Sequence, residues 1–222
     1  MIKLTGIFKK VAIVAIVAVS INIAANAQIG ENPRLGVQAG LNLSNFWGKD
    51  ASEYQNKPGI RLGMDGLVEF PKVKNVSLQM TILFAQQGAK AEGLDAYGNI
   101  ANTETCLNSL LIQWSPRYTL NFGSGMGVFL QAGPYMGWNF LAKLKTEKDG
   151  KWESEKLKLG FDEGKMEILD MGFGIGAGLQ ILNDISISVG YNFGFLPIVN
   201  SSKTIKTFNS NLALTATYYF KK

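Results

Sequence analysis

The chain alternates. From Asp170 to Ile181 every second residue is apolar: Met171, Phe173, Ile175, Ala177, Leu179 and Ile181. The residues between them, Asp170, Gly172, Gly174, Gly176, Gly178 and Gln180, are small or polar. A period of two is the signature of a β-strand with two unlike faces. A soluble sheet would hide its apolar face and dress the other in charge. Here the second face is mostly bare backbone and carries no lysine. That predicts apolar side chains turned out to lipid around a crowded, narrow interior.

Seven further segments repeat the pattern. Residues 34–44 set Leu35, Val37, Ala39, Leu41 and Leu43 against Gly36, Gln38, Gly40, Asn42 and Ser44. Residues 59–70, 76–87, 108–120, 127–140, 185–195 and 209–220 alternate in the same way, with Leu67 interrupting one polar face. Pro116 and Pro134 fall inside two of these segments. Proline has no N–H for a ladder, so a bulge or a gap in pairing is predicted at each. The segments are about the 9–11 residues that a tilted strand needs to cross a bilayer. Their connections alternate in length. Long ones span 45–58, 88–107, 141–166 and 196–208, and short ones span 71–75, 121–126 and 182–184. Long outer loops and short periplasmic turns are the habit of outer-membrane barrels. The predicted fold is all-β: an eight-stranded antiparallel up-and-down transmembrane β-barrel with both termini in the periplasm.

Lysine placement separates this fold from a soluble barrel. Lys49, Lys57, Lys72, Lys74, Lys90, the run from Lys143 to Lys165, Lys203, Lys206, Lys221 and Lys222 all fall in connections or at the terminus. A soluble barrel needs Lys and Glu along its strands. At a bilayer midplane each Arg or Lys would cost about 2–4 kcal/mol. Aromatic residues gather at strand ends, as two interfacial girdles would require. Phe70, Tyr118, Tyr218 and Phe220 mark the periplasmic side, and Phe46, Trp47, Trp138, Phe140, Phe193 and Phe195 the outer side.

The first residues stand apart. Lys3, Lys9 and Lys10 precede an apolar core from Val11 to Val19, and Ala25-Asn26-Ala27 is a small-x-small cleavage site. Residues 1–27 therefore read as a secretory signal peptide and 28–222 as one barrel domain. The apolar run is too short, and too broken by Ser20 and Asn22, to be a spanning helix. The formal charge of +5 includes those three lysines, so the mature chain carries +2. A basic balance that small does not point to nucleic acid.

Chemistry is sparse. There is no histidine, which removes Ser-His, Cys-His and His-ligated metal arrangements. Cys106 is the single cysteine, so no intramolecular disulfide forms. The alternating glycines lack the strand-to-helix turn of a phosphate-cradling loop; their expected role is to make room in a tight lumen. Five charges face inward: Arg61, Asp65, Glu69, Arg117 and Asp170. Strand direction places Glu69 and Arg117 near the periplasmic end and Arg61 and Asp170 nearer the outer end. Glu69–Arg117 and Arg61–Asp170 pairs are expected to plug the lumen, because charges removed from water need partners. No nucleophile accompanies them, so no catalytic, cofactor or metal site is assigned. In the connection 141–166, Lys148-Asp149-Gly150-Lys151 reads as a hairpin with a tight turn at Asp149-Gly150, its arms continuing the flanking strands past the membrane.

Several stretches resemble the PorT-like, "porin family" outer-membrane barrel domain of Gram-negative bacteria. They are Gly36-Val-Gln-Ala-Gly-Leu-Asn-Leu-Ser44, Val76-Ser-Leu-Gln-Met80, Phe84-Ala-Gln-Gln-Gly88, Leu130-Gln-Ala-Gly-Pro-Tyr135, Gly174-Ile-Gly-Ala-Gly178, Gly190-Tyr-Asn-Phe-Gly194 and Tyr218-Tyr-Phe220. Their order and spacing carry the resemblance over most of the mature chain. It implies an eight-strand barrel in the outer membrane and no catalytic site. Lys221 and Lys222 depart from the terminal aromatic that barrel-assembly machinery reads. The expected partners are outer-membrane lipid, that machinery, and a protein or surface ligand at the outer loops. The expected role is structural or interactive. Passive transport of small solutes is the alternative; an outer-membrane enzyme and a soluble ligand-binding barrel are weaker ones.

Overall fold

The computed structural model describes residues 31–49, 51–94, 100–148, 151–199 and 207–220. The signal segment 1–27 and the turn residues Asp149 and Gly150 lie outside them. The strands are β1 (Glu31–Gly48), β2 (Tyr54–Glu69), β3 (Val76–Leu94), β4 (Ile100–Gly123), β5 (Met126–Lys148), β6 (Lys151–Lys156), β7 (Leu169–Ile181), β8 (Ile185–Pro197) and β9 (Thr207–Tyr219). The sheet order β4-β3-β2-β1-β9-β8-β7-β5, together with a β4–β5 pairing, closes a ring of eight antiparallel strands. β6 stands outside the ring and, among the described residues, pairs only with β5.

The faces lie as the alternation requires. Leu35, Leu41, Leu62, Met64, Leu130, Ile175, Val189 and Leu214 are exposed around the girth, while Gln38, Asn42, Gln79, Thr81, Arg117 and Thr215 are buried inside it. In water such a belt would be unfavourable at about 25 cal/mol per Å² of apolar surface. In lipid it is the ordinary exterior. The short turns suit a right-twisted hairpin. Ser124 and Gly125 have φ of 53° and 75°, the two positive values of a type I′ connection.

The two prolines share one gap. On the β4–β5 seam Gln113 pairs with Tyr135 and Arg117 with Gln131, and the stretch between them is left out of the register. Pro116 and Pro134 both lie in that stretch, so their missing donors coincide. Elsewhere the ladder runs through them, with Leu78 opposite Pro116 and Pro134 opposite Phe173. The β7 glycines answer bulky residues on β5. Phe129 pairs with Gly178, Gln131 with Gly176 and Tyr135 with Gly172. A Cβ on Gly178 would lie 2.4 Å from the Phe129 ring, and one on Gly172 2.1 Å from the Phe193 carbonyl.

The long connections are mostly not loops. β1 to β5 run on past the belt as paired strands, so Lys57, Lys90, Lys143 and Lys145, expected in connections, are strand residues. Beyond the belt the faces exchange roles. Ser44, Gln87 and Ser109 are the last buried polar residues on their strands, and two residues further out Phe46, Ala89 and Leu107 are buried apolar ones. Those three form a cluster with Ala51, Ala142 and Met166, against which Leu157, Leu159, Ile198 and Val199 pack. The outer part of the barrel is thus organised for water, with an apolar core and Lys90, Lys143 and Lys145 on its outer face, while Lys57 is buried. Phe46, expected in the outer girdle, belongs to this core; Trp47 remains outside and packs against Phe208, 5.1 Å between ring centroids.

Candidate functional site

Two regions concentrate polar chemistry: the bore, and the outer hairpins. In the bore, Arg61, Asp65, Arg117 and Asp170 are all buried, and Glu69 is partly exposed. The expected pairs are not the ones that form. Glu69 and Arg117 do share a level, since Ser77 pairs with both. Arg34 intercepts, its Nη2 reaching Glu69 Oε1 at 3.2 Å and its Nη1 donating to the Asn183 carbonyl at 2.7 Å. Arg61 and Asp170 lie on β2 and β7, four places apart in a ring of eight, so the bore's full width separates them.

Asp65, Arg117 and Asp170 are instead held by neutral neighbours. Asp65 accepts hydrogen bonds from Thr81 Oγ1 (2.6 Å), Gln79 Nε2 (2.8 Å) and Tyr219 Oη (2.8 Å). Arg117 donates from Nη2 to Gln180 Oε1 at 2.7 Å and from Nε to Thr119 Oγ1 at 3.2 Å. Its guanidinium lies 3.5 Å from the Phe129 ring centroid, a desolvated cation–π contact. Asp170 accepts from Asn209 Nδ2 at 2.9 Å and from Tyr135 Oη at 3.1 Å, and Asn209 also donates to Gln87. Arg61 has Asp65 as its electrostatic partner, four residues along the same strand and buried on the same inward face. Arg61, Gln113 and Gln131 line a cavity of about 30 Å³, room for little more than a water molecule. Tyr135 and Tyr219 complete the filling.

Above these layers the strand ends and the segment after β6 close over the apolar cluster. The expected continuation of both hairpin arms holds for β5, where Lys148 pairs with Lys151 across the turn. The return arm stops at Lys156. The chain then folds inward over the rim, with Leu159 bridging Met166 and Met166 bridging Val199. Asp149 and Gly150 themselves lie outside the described residues. The signal that this loop is not merely solvated was its apolar content: Leu157, Leu159 and Met166 sit among lysines and acids. On its exposed side Lys165 donates to Asp162, and that bond holds the Asp162 carboxyl below the usual carboxylate range. Among the described residues no group of His, Cys, Asp and Glu is placed to hold a metal ion.

Residues 26–200 match the family model described as "Outer membrane protein beta-barrel domain". No curated protein sequence matches the chain. Among solved structures, Neisserial surface protein A aligns at 14% identity, covering 86% of this chain and 100% of that one, with a TM-score of 0.46. Ail, the attachment invasion locus protein of Yersinia pestis, aligns at 14% identity over 85% and 99% of the two chains, TM-score 0.43. The N-terminal β-barrel domain of Pseudomonas aeruginosa OprF aligns at 9% identity over 86% and 99%, TM-score 0.36.

Proposed function

Because this outer-membrane protein belongs to the outer membrane protein β-barrel domain family, we propose that it is a narrow, plugged, non-enzymatic barrel acting through the surface of its outer hairpins. One observation carries the reading. The layer around Arg61 encloses a cavity of only about 30 Å³, the hydrogen-bonded groups around Asp65 and Asp170 are buried in the same bore, and an apolar cluster lies at its outer end. A hydrated solute would have to break both. What remains available to partners is the outer end, where β5 and β6 project as a charged hairpin with every residue of β6 exposed. Loops and hairpins on a rigid scaffold are the usual place for recognition. On this reading Asp149 and Gly150 form its tip.

Two measurements test it. Reconstituted in a planar bilayer, the protein is expected to give no stepwise conductance; steady channels would replace this reading with passive transport of small solutes. In cells, replacing residues 144–156 by a short Gly-Ser turn is expected to leave a folded barrel with the phenotype of a complete deletion. Wild-type behaviour of that variant would move function from the hairpin to the wall. We also propose cleavage after Ala27, kinship with the PorT-like branch, and insertion by the barrel-assembly machinery reading Tyr218 and Phe220 despite the two lysines that follow. The order of the matching stretches supports the second of these, and mass spectrometry of the mature protein tests the first.

A further inference from the structure

We propose that a lysine-lined groove on the outer wall, running from β2 to β5, binds the phosphate of a phosphorylated lipid headgroup in the outer leaflet. The groove measures about 360 Å³ and is lined by Lys57, Lys90, Lys143 and Lys145, with Cys106 and Leu141 among its neutral residues. Among the described residues Glu104 is the one acid that lines it, and it pairs with Lys90 at 3.3 Å.

Register sorts the charges. Cys106 lies opposite Lys143, and Lys143 opposite Lys156; in the next row Lys90 lies opposite Glu104, and Glu104 opposite Lys145. Residues paired in this way share a face. Glu155 and Glu153 pair with Leu144 and Thr146, which puts both acids on the other face. Glu147 shares the lysine face further out, where it accepts from Asn102 Nδ2 at 2.7 Å. Among the described residues, none of Lys143, Lys145 and Lys156 has a carboxylate within ion-pair distance. Like charges directly opposite on a ladder are destabilising, and Lys143 and Lys156 are such a pair. A bound anion would relieve that repulsion.

Height decides which anion. Phe84 and Phe140, 6.1 Å apart, lie on the same wall below the groove. Lys143 follows Phe140 by three residues, roughly 10 Å of strand before tilt is allowed for. The lysines therefore stand just above the interfacial aromatics, where lipid headgroups lie. The inversion of the faces at Gln87 and Ser109 marks the same level from inside the barrel. The floor at Leu141 continues downward into the lipid-facing surface, so a ligand with acyl chains can stay in its leaflet while its phosphate meets the lysines. Free phosphate would gain only the charge. Lys145 and Lys156 also belong to the hairpin of residues 144–156, but the readout here is lipid binding in detergent, so failure of this site and failure of the hairpin's role in cells are distinguishable.

The test uses the mature chain folded in non-ionic detergent and titrated with bisphosphorylated lipid A. Adducts are counted by native mass spectrometry, and alkylation of Cys106 serves as a local probe. Wild type is expected to bind the lipid, with affinity falling as salt rises, and bound lipid is expected to slow Cys106 alkylation. The variant K143Q/K145Q/K156Q, shown to be folded by its heat-dependent gel mobility, is expected to bind about tenfold more weakly or worse. Equal binding by that variant overturns the proposal. So does equal binding of the dephosphorylated lipid, or equal protection of Cys106 by inorganic phosphate at the same concentration. The last two comparisons use wild-type protein alone and decide the matter even if the variant does not fold.

Discussion

Asp65 shows how a charge is kept inside a barrel wall without an ionic partner in contact. Three donors converge on its carboxylate from β3 and β9, so one side chain ties two neighbouring regions of the ring to β2. Removing it leaves Gln79, Thr81 and Tyr219 to find other acceptors. Each orphaned buried group costs about 1–3 kcal/mol. Asp65→Ala is therefore expected to lose more than about 3 kcal/mol in urea unfolding from detergent, and Tyr219→Phe only about 1 kcal/mol. Equal losses would mean that Tyr219 and not the carboxylate organises the layer. The glycines give a second contrast. A Cβ on Gly172 would meet the Phe193 carbonyl at 2.1 Å, a backbone atom that cannot swing aside, whereas on Gly176 the nearest atom is 3.2 Å away. Gly172→Ala should cost about 1–3 kcal/mol and Gly176→Ala less than about 1. The reverse order in unfolding midpoints would show that the wall at β7 adjusts where the geometry says it cannot.

Within one strand, the two faces answer to different solvents. Ile175 on β7 is 52% exposed and belongs to the apolar belt. Ile175→Arg is expected to cost about 2–4 kcal/mol if the site lies near the midplane, and to slow or block assembly. Ser188 on β8 lines the small internal cavity, and Ser188→Ala should leave folding within about 1 kcal/mol of wild type. The readout is the fraction of heat-shifting protein recovered from membranes. Normal recovery of the Ile175 variant would place that face away from lipid. Further out the rule changes along the same strands. On β4 Ser109 is the last buried polar residue before Leu107, and from there apolar side chains turn inward.

Across the whole molecule, closure is what makes the arrangement stable. A ring of eight leaves no unpaired edge within the belt, as lipid requires. β6 is the exception, an edge strand beyond the belt, and its Lys-Trp-Glu-Ser-Glu-Lys sequence carries the charges that discourage edge-to-edge pairing. The outer cluster acts as a second core. Phe46→Ala with Leu107→Ala should create a cavity there, costing several kcal/mol by the usual scale of large-to-small changes. The belt-level barrel is expected to survive, so limited proteolysis should cut the outer hairpins of this variant while the heat shift persists. Loss of the heat shift would show that the outer core and the membrane ring form one cooperative unit.

The alternation by itself determined the strands, their sidedness and the ring, because in lipid a strand's period-two pattern has one satisfactory closed arrangement. It also placed Tyr135, Tyr219 and four of the five interior charges in buried positions. It did not determine who holds those charges. Partners in a barrel are set by register and by place around the ring, and both depend on pairings between residues far apart in the chain. Arg34 reaches Glu69 because β1 pairs with β2, and Asn209 reaches Asp170 because β8 brings β9 close to β7. The strands also outran the predicted spans, since a ladder continues into water wherever backbone partners exist and only the facing of the side chains must change. That change was written in Phe46, Ala89 and Leu107, yet it reads as noise until the tertiary structure brings the three together around Met166.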